Sequence, residues 1–436
     1  MLRAFGVIRT DPLRFLDQCA RRYGPVVVFP VPGRPVLFVS DPALVCHVLQ
    51  SNHRAYGKRT AQYDALSLVT GEGLLTSDGE VWREMRRLVQ PAFHHATLDQ
   101  VVVGVGSAGS AMSHEWDALG VTGATFDLDE AMMRTTLRVV GSTLFGADLA
   151  AEAGPLVAAV VAALDVVVRR AQLPLGPPSW LPTPGNVSLR GSLASLDASV
   201  GRLVASRREA GLDDGRQDVL GLLLRAVDAG LVTSQQVRNE VVTLIVAGHE
   251  TVAATLTWTW LLLAEAPEVR ARLRCEADDV LGTVQRPDLA TVTRLTFARA
   301  VVDEALRLFP PAWVISRRSL VDDRLGEIDV PQGSTVFCSP YLLQRDSRVW
   351  VRPDEFDPGR FLAGAQQPVP RDSYVPFGTG PRLCIGRDLA LLEATLLVAM
   401  LARRHEVSTA PLAQVVPHPG VTIRPTGGLP ATVRHW

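Results

Sequence analysis

The sequence predicts a mainly α fold with a small β-rich region, in one domain spanning residues 1–436. Three observations predict it. Helical periodicity dominates after about residue 80. One long stretch, from Thr233 toward Ala266, is apolar on all sides, so its helix belongs at the centre of the fold. Strand signals are confined to a valine-rich segment near the start and a proline-punctuated one after Phe309.

Taken in order, the elements follow from local chemistry. Residues 25–40, PVVVFPVPGRPVLFVS, alternate valine runs with proline and glycine and predict a hairpin. Pro182, Pro184 and Gly185 predict a loop between two helices. Asp218–Ala229 is amphipathic and predicts a helix. Thr233-Ser-Gln-Gln236 has the spacing of a capping box, so the long apolar helix begins there, and Pro267 ends it. Leu289–Phe309 predicts a further helix, stopped by Pro310-Pro311. From there to Phe361 strands and loops are expected. Gly420–Arg434 predicts a closing hairpin around Gly427-Gly428.

Composition narrows the function. Hydrophobic residues make up 47% of the chain and charged residues 20%, enough for a large core. The net charge of −1 offers no basic footprint for nucleic acid. Lys58 is the only lysine, and every other fixed cation is arginine. The cysteines are Cys19, Cys46, Cys275, Cys338 and Cys384. An odd number, wide spacing and no CxxC pair argue against a disulfide framework or a zinc site, and for a reducing, cytoplasmic setting. The N-terminal stretch is interrupted by Arg3, Arg9, Asp11 and Pro12, which does not suit a secretory leader. The apolar run Val241–Leu263 has His249 and Glu250 in its middle, which suits a buried helix better than a membrane anchor.

Cys384 stands out in Pro376–Gly386, PFGTGPRLCIG, a turn of glycines behind Phe377 and beside Arg382. A thiolate that ligates a haem iron needs close, flexible backbone and amide donors, and this run supplies both. A buried structural cysteine would account for the thiol alone, but not for the whole spacing F-x-x-G-x-R-x-C-x-G. On an apolar helix, Ala247-Gly-His-Glu-Thr251 carries polar groups that burial would penalise without cause. A zinc helix of the HExxH type is excluded because position 253 is alanine. A threonine bonding its own backbone is a second explanation of Thr251. Glu304 and Arg307 are spaced to share a helix face, as are Trp82 and Arg86.

Phe377, Gly380, Arg382, Cys384 and Gly386 together resemble, position for position, the haem-binding signature of cytochrome P-450 monooxygenases. Further motifs resemble the family in the same order along most of the chain. The resemblance implies the P-450 fold, haem b with Cys384 as axial thiolate, and dioxygen as co-substrate. It implies contacts to the haem from Trp82, Arg86, Arg317, Phe377, Gly378, Arg382 and Gly386, with Ala247 and Gly248 leaving room for dioxygen. Glu250 and Thr251 would relay protons, while His249 would point away from the haem. Glu304, Arg307 and Arg360 would form a buried structural network. Gln344 stands where many relatives have histidine, on the proximal side, where the reaction is unaffected.

The reaction implied is insertion of one oxygen atom from dioxygen into a C–H bond of a hydrophobic small molecule. Family pocket positions fall on Leu74, Leu75, Leu244, Ala247, Ala312, Trp313, Val314 and Val421, with Trp313 expected to narrow the pocket. AWVISRR and SPYLLQRD resemble bacterial members associated with terpenoid oxidation; a fatty acid or a polyketide core stays open. The chain ends soon after Cys384, so no fused reductase is expected. Electrons would come from a ferredoxin and its NAD(P)H-dependent reductase, docking near Arg387 on a monomer. A haem-thiolate peroxygenase, isomerase or dehydratase is the main alternative. The acid–alcohol pair speaks against it.

Overall fold

The computed structural model describes residues 11–436, apart from 32, 148–152, 172–179, 213–217, 283, 285 and 368. The first ten residues, on which the reading of the N-terminus partly rests, lie outside that set. Among the described residues, helices build most of the fold and strands form small sheets at its edges.

The central helix runs Ser234–Ala264. Thr233 caps it by accepting the Gln236 N–H, and Gln236 returns the bond to the Thr233 N–H, the reciprocal capping box. Pro267 starts the next helix at its first position, where a missing N–H costs nothing. The central helix has the length and apolarity to cross a membrane, yet 83% of that stretch is buried within the fold. It packs along the helix Leu128–Leu144, and the Thr136 hydroxyl donates to the His249 carbonyl at 3.0 Å. Trp258 stacks flat on Phe309 at 3.9 Å and donates its indole N–H to the Ile423 carbonyl at 3.0 Å. Such aromatic burial ties the C-terminal segment to the core.

Residues 26–29 and 36–39 pair antiparallel, forming the expected hairpin. That hairpin continues into a five-stranded sheet, in the order Val26–Phe29, Val36–Val39, Thr335–Cys338, Ile315–Ser319, Tyr56–Gly57. Residues 36–39 run parallel to 335–338 and the other neighbours run antiparallel.

Three local expectations fail. Pro184 and Gly185 open the helix Pro184–Glu209 instead of lying in a loop, with Thr183 as cap and Pro184 at its first position. The Leu289–Phe309 segment is two helices, Leu289–Thr293 and Thr296–Leu308. The break is fixed by Glu276, which accepts the N–H groups of Phe297 and Ala298 and so caps the second helix from a distance. Residues 420–434 do not form a hairpin. Ile423–Pro425 pairs back with Pro417–Pro419, whereas Pro430–His435 joins His405–Thr409 and Phe126–Asp127. Gly427 and Gly428, both with positive φ, carry the chain between two separate sheets.

Candidate active site

A cavity of about 320 Å³ lies against the central helix. Its floor is the Cys384 loop. Gly378 and Gly380 have φ of 71°, the left-handed region that favours glycine. At Gly380 a side chain is also sterically barred, because a Cβ would lie 2.3 Å from the Leu49 carbonyl oxygen. The Cys384 N–H donates to the Phe377 carbonyl at 3.1 Å, and the Gly386 N–H is directed at the sulfur. Cys384 is exposed only into the cavity, deep in the molecule, and burial pushes its thiol up. The Gly386 amide and Arg86 oppose that shift. Ligation to a metal is what removes the proton from such a thiol.

On one side of the floor, positive groups converge. Lys58, Arg86, Arg317 and Arg382 all line the cavity. Arg86, on the helix Gly79–Val89, donates to the Leu383 carbonyl at 3.0 Å. Arg382 pairs with Asp78, donates to the Ser77 carbonyl at 3.0 Å, and lies over the Trp82 ring at 3.8 Å. Arg317 donates to the Ser316 carbonyl at 2.8 Å. Lys58 is buried, with its ammonium on the Leu75 carbonyl at 2.7 Å. Burial holds its pKa well below the ordinary value, and the Arg317 and Arg382 charges lower it further. Asp78 is the counter-charge acting on this group, and it is already engaged by Arg382 and the Lys58 N–H. Buried cations in such excess suit an anionic guest. Carboxylates such as those of haem, over a cysteine sulfur, fit this donor set.

Sequence reasoning missed Lys58. It is the only lysine, but no motif surrounds it, and its partners lie far along the chain.

The opposite wall is the central helix, through Leu244, Ala247, Gly248, Glu250 and Thr251. At Gly248 a Cβ would lie 3.0 Å from Val140, so the glycine allows close helix packing. Thr251 donates its hydroxyl to the Ala247 carbonyl at 2.7 Å, leaving its oxygen able to accept. The Glu250 carboxyl accepts the Thr422 hydroxyl at 2.9 Å through Oε1, while Oε2 is enclosed without a protein partner. Burial raises its pKa to about 7, against the pull of Arg424 and the Thr422 hydrogen bond.

The upper walls are apolar: Leu74, Leu75, Ala312, Val314 and Val421 line the cavity with Leu244 and Ala247. Trp313 does not line it, contrary to expectation. Its indole N–H donates to the Gly420 carbonyl at 2.9 Å, and its ring packs against the small core cluster of Leu16, Cys19, Val27 and Phe38. A tryptophan needs a partner for its N–H when half-buried, and the 417–425 ribbon supplies one outside the cavity.

Below the floor, Glu304 and Arg307 are both fully buried, on the helix Thr296–Leu308. Arg307 grips both oxygens of Glu304, at 2.7 and 2.8 Å. Arg360 reaches the same carboxylate at 3.3 Å, and the Asp357 N–H donates to it at 3.0 Å. The remaining Arg307 donors take the carbonyls of Gln344, Pro353 and Glu355. The Gln344 side chain bonds the Leu306 and Arg307 carbonyls and the Val375 N–H. The carboxylate and guanidinium thus brace the strand-poor segment that leads into the Cys384 loop.

His249 is fully buried and faces away from the cavity, its Nδ1–H donating to the Ile245 carbonyl at 2.6 Å. Burial holds its pKa down at about 4. Between that value and the ordinary 6.5 the unfolded chain takes up a proton that the native state refuses, so stability falls as pH drops through this window. The loss should reach up to about 3 kcal/mol near pH 4, at 1.36 kcal/mol per pH unit. The raised carboxyls of Glu240 and Glu250 slope the opposite way. Thermal melts of His249→Leu against the parent, from pH 7 to 4, should therefore show a gap that shifts in favour of the variant. A constant gap would mean the imidazole is charged in the native state.

The sequence profile of the family described as Cytochrome P450 matches residues 2–427. The chain is 37% identical over 420 residues to cyclooctatin synthase of Streptomyces melanosporofaciens, covering 94% of this chain and 89% of that protein. It is 35% identical over 408 residues to cyclooctat-9-en-7-ol 5-monooxygenase of the same organism, covering 92% and 86%. It is 32% identical over 412 residues to pentalenene oxygenase of Streptomyces avermitilis, covering 93% and 89%.

Proposed function

The chain belongs to the cytochrome P450 family and is a monooxygenase, and on that premise we propose that it oxidises a C–H bond of a terpenoid. The observation that carries this reading is the cavity. Its floor is a cysteine, its upper walls are aliphatic, and its polar edge is an acid–alcohol pair. The relatives named for cyclooctatin and pentalenene point to the same substrate class.

Family membership implies a haem–thiolate cofactor and dioxygen. In this reading the Cys384 sulfur would hold the haem iron, with Phe377, Gly378 and Gly386 packed beside it and Trp82 stacked under Arg382 at the rim. Lys58, Arg86, Arg317 and Arg382 hold the carboxylates. When bound, the haem–thiolate group supplies the activation of dioxygen. The protein does the rest. Leu74, Leu75, Leu244, Ala312, Val314 and Val421 hold an apolar skeleton by excluding water. Ala247 leaves space beside the helix, while Gly248 lets Val140 pack close against it. The Thr251 oxygen accepts a hydrogen bond on the cavity side, and Glu250, with a pKa near neutrality, supplies protons without a large energetic penalty. Glu304, Arg307 and Arg360 hold the floor rigid. Electrons come from a separate ferredoxin and its NAD(P)H-dependent reductase, docking by Arg387, which is exposed near the cysteine loop.

Thr251→Ala tests the relay. The variant should take up haem and carbon monoxide as the parent does, because the Thr251 hydroxyl bonds the Ala247 carbonyl of its own helix and not the Cys384 loop or the cationic cluster. Product formed per NADPH should collapse while NADPH is still consumed. Positioned proton transfer contributes about 10²–10⁴ in rate, and the diverted electrons should appear as hydrogen peroxide. An unchanged ratio removes Thr251 from the mechanism. Loss of haem would make its role structural.

A further inference from the structure

Asp117, His405 and His435 meet at a point that the site over Cys384 does not use. They come from the helix Leu98–Thr122, the start of the strand His405–Thr409 and the end of the strand Pro430–His435. The two strands pair antiparallel, with His435 directly opposite His405. Opposed residues share one face of a sheet, with Cβ atoms about 4.5–5.5 Å apart. The register therefore sets the two imidazoles side by side, with ring centres 4.9 Å apart. The helix packs on the strand Pro430–His435 and brings its carboxylate to both rings. Asp117 Oδ1 lies 2.8 Å from His405 Nε2 and 2.7 Å from His435 Nε2.

We propose that these three side chains form a zinc-binding site that fastens the C-terminal strand to the helix Leu98–Thr122. The site is separate from the haem chemistry and independent of the reaction proposed above.

The donor set carries the argument. Two imidazole nitrogens and one carboxylate oxygen are what zinc takes, whereas magnesium and calcium favour oxygen throughout. The three ligand atoms lie within 4.8 Å of one another. Zinc bonds of about 2.0–2.2 Å set tetrahedral ligand atoms roughly 3.3 Å apart. Each imidazole–carboxylate contact thus has to open by about half an ångström. His435 has the freedom to do so, since 46% of its side chain faces solvent. His405 is the fixed point: it is fully buried, with its ring edge-on to Trp116 at 5.5 Å. Its Nδ1 is enclosed, short of a full hydrogen bond, with the Leu401 carbonyl as the acceptor acting on it. A proton held at Nδ1 by a backbone carbonyl leaves the Nε2 lone pair for a metal. Trp436 steadies the strand end beside His435, donating its indole N–H to the Ala402 carbonyl at 2.9 Å. Arg404 takes the other Asp117 oxygen at 3.1 Å, which leaves Oδ1 facing the rings. The Arg404 charge opposes a cation, and the three ligand bonds have to outweigh it. Asp117 and His435 are both partly exposed, so water can fill a fourth position. Cysteine spacing gives no sign of this site, because its ligands are an aspartate and two histidines brought together from distant positions.

The test is a calorimetric titration of the holoenzyme with zinc chloride, beside thermal melts. One zinc should bind per chain, and the melting temperature should rise with zinc, because a ligand held by the native fold alone stabilises it. Magnesium chloride should do neither, and the Soret band should stay where it is. His435→Ala changes an exposed strand end and should keep the fold. Its zinc affinity should fall by more than the roughly 10–100-fold that losing an outer partner of a metal ligand costs. Asp117→Asn should weaken binding as well. His114→Ala, which removes an exposed histidine from the same helix, should titrate like the parent. A parent that binds no stoichiometric zinc overturns the site and leaves Asp117 as a hydrogen-bond acceptor for two histidines. A folded His435→Ala that binds zinc as tightly as the parent also overturns it, by placing the metal elsewhere.

Discussion

Glu304→Ala should leave little folded protein. The substitution strands Arg307, a fully buried guanidinium, without the carboxylate that holds two of its donors. It also removes the acceptor of the Arg360 Nε–H and of the Asp357 N–H. Breaking a buried pair by deleting one partner costs ~3–5 kcal/mol, against a typical total stability of ~5–15 kcal/mol. The carbonyls of Gln344, Pro353 and Glu355 soften the loss without supplying a counter-charge. The yield of haem-loaded protein and its melting temperature are the quantities to measure. Full haem content at an unchanged melting temperature would show that the network does not hold the floor. Glu304→Gln keeps the shape and removes the charge, so it should fall between the two.

Cys384→His should abolish product formation while leaving the fold in place. The loop is shaped by glycines and by backbone bonds that the side chain does not make, such as Cys384 N–H to Phe377 and Leu383 N–H to Gly380. The change therefore acts on ligand chemistry, not on stability. The thiolate is the group that favours O–O cleavage in haem enzymes of this kind. The reduced carbon-monoxide complex of the variant should lose the long-wavelength Soret band of thiolate ligation, even where haem is retained. A variant that keeps that band would place the ligand on another residue.

Much of this site was legible because its chemistry is written in short, local spacings. The Cys384 loop, the Glu304–Arg307 helix and the Ala247–Thr251 turn each fix their neighbours by backbone geometry alone. The capping box at Thr233 and the apolar run behind it marked the central helix for the same reason. What was not legible depends on partners distant in sequence. Trp313 reads as a cavity residue until Gly420 takes its indole N–H. Gly427-Gly428 reads as a hairpin turn until the flanking strands are claimed by different sheets. The segment 289–309 reads as one helix until Glu276 caps it in the middle. Lys58 has no motif at all, and its role appears only when Arg317 and Arg382 converge on it. Asp129, Thr422 and Arg424 were likewise invisible as neighbours of Glu250, since a helix and a ribbon far apart in sequence bring them there.

The central claim is that the aliphatic cavity over Cys384 takes a terpenoid skeleton. The direct measurement is the Soret shift of the ferric holoenzyme, titrated in parallel with a cyclic terpene hydrocarbon and a fatty acid of equal carbon number. Leu74, Leu75, Leu244, Ala312, Val314 and Val421 present no charge to anchor a carboxylate, and the cations that line the cavity are gathered beside the floor. The hydrocarbon should displace the water-bound spectrum at the lower concentration, with the fatty acid binding weakly or not at all. Tighter binding of the fatty acid would contradict the account.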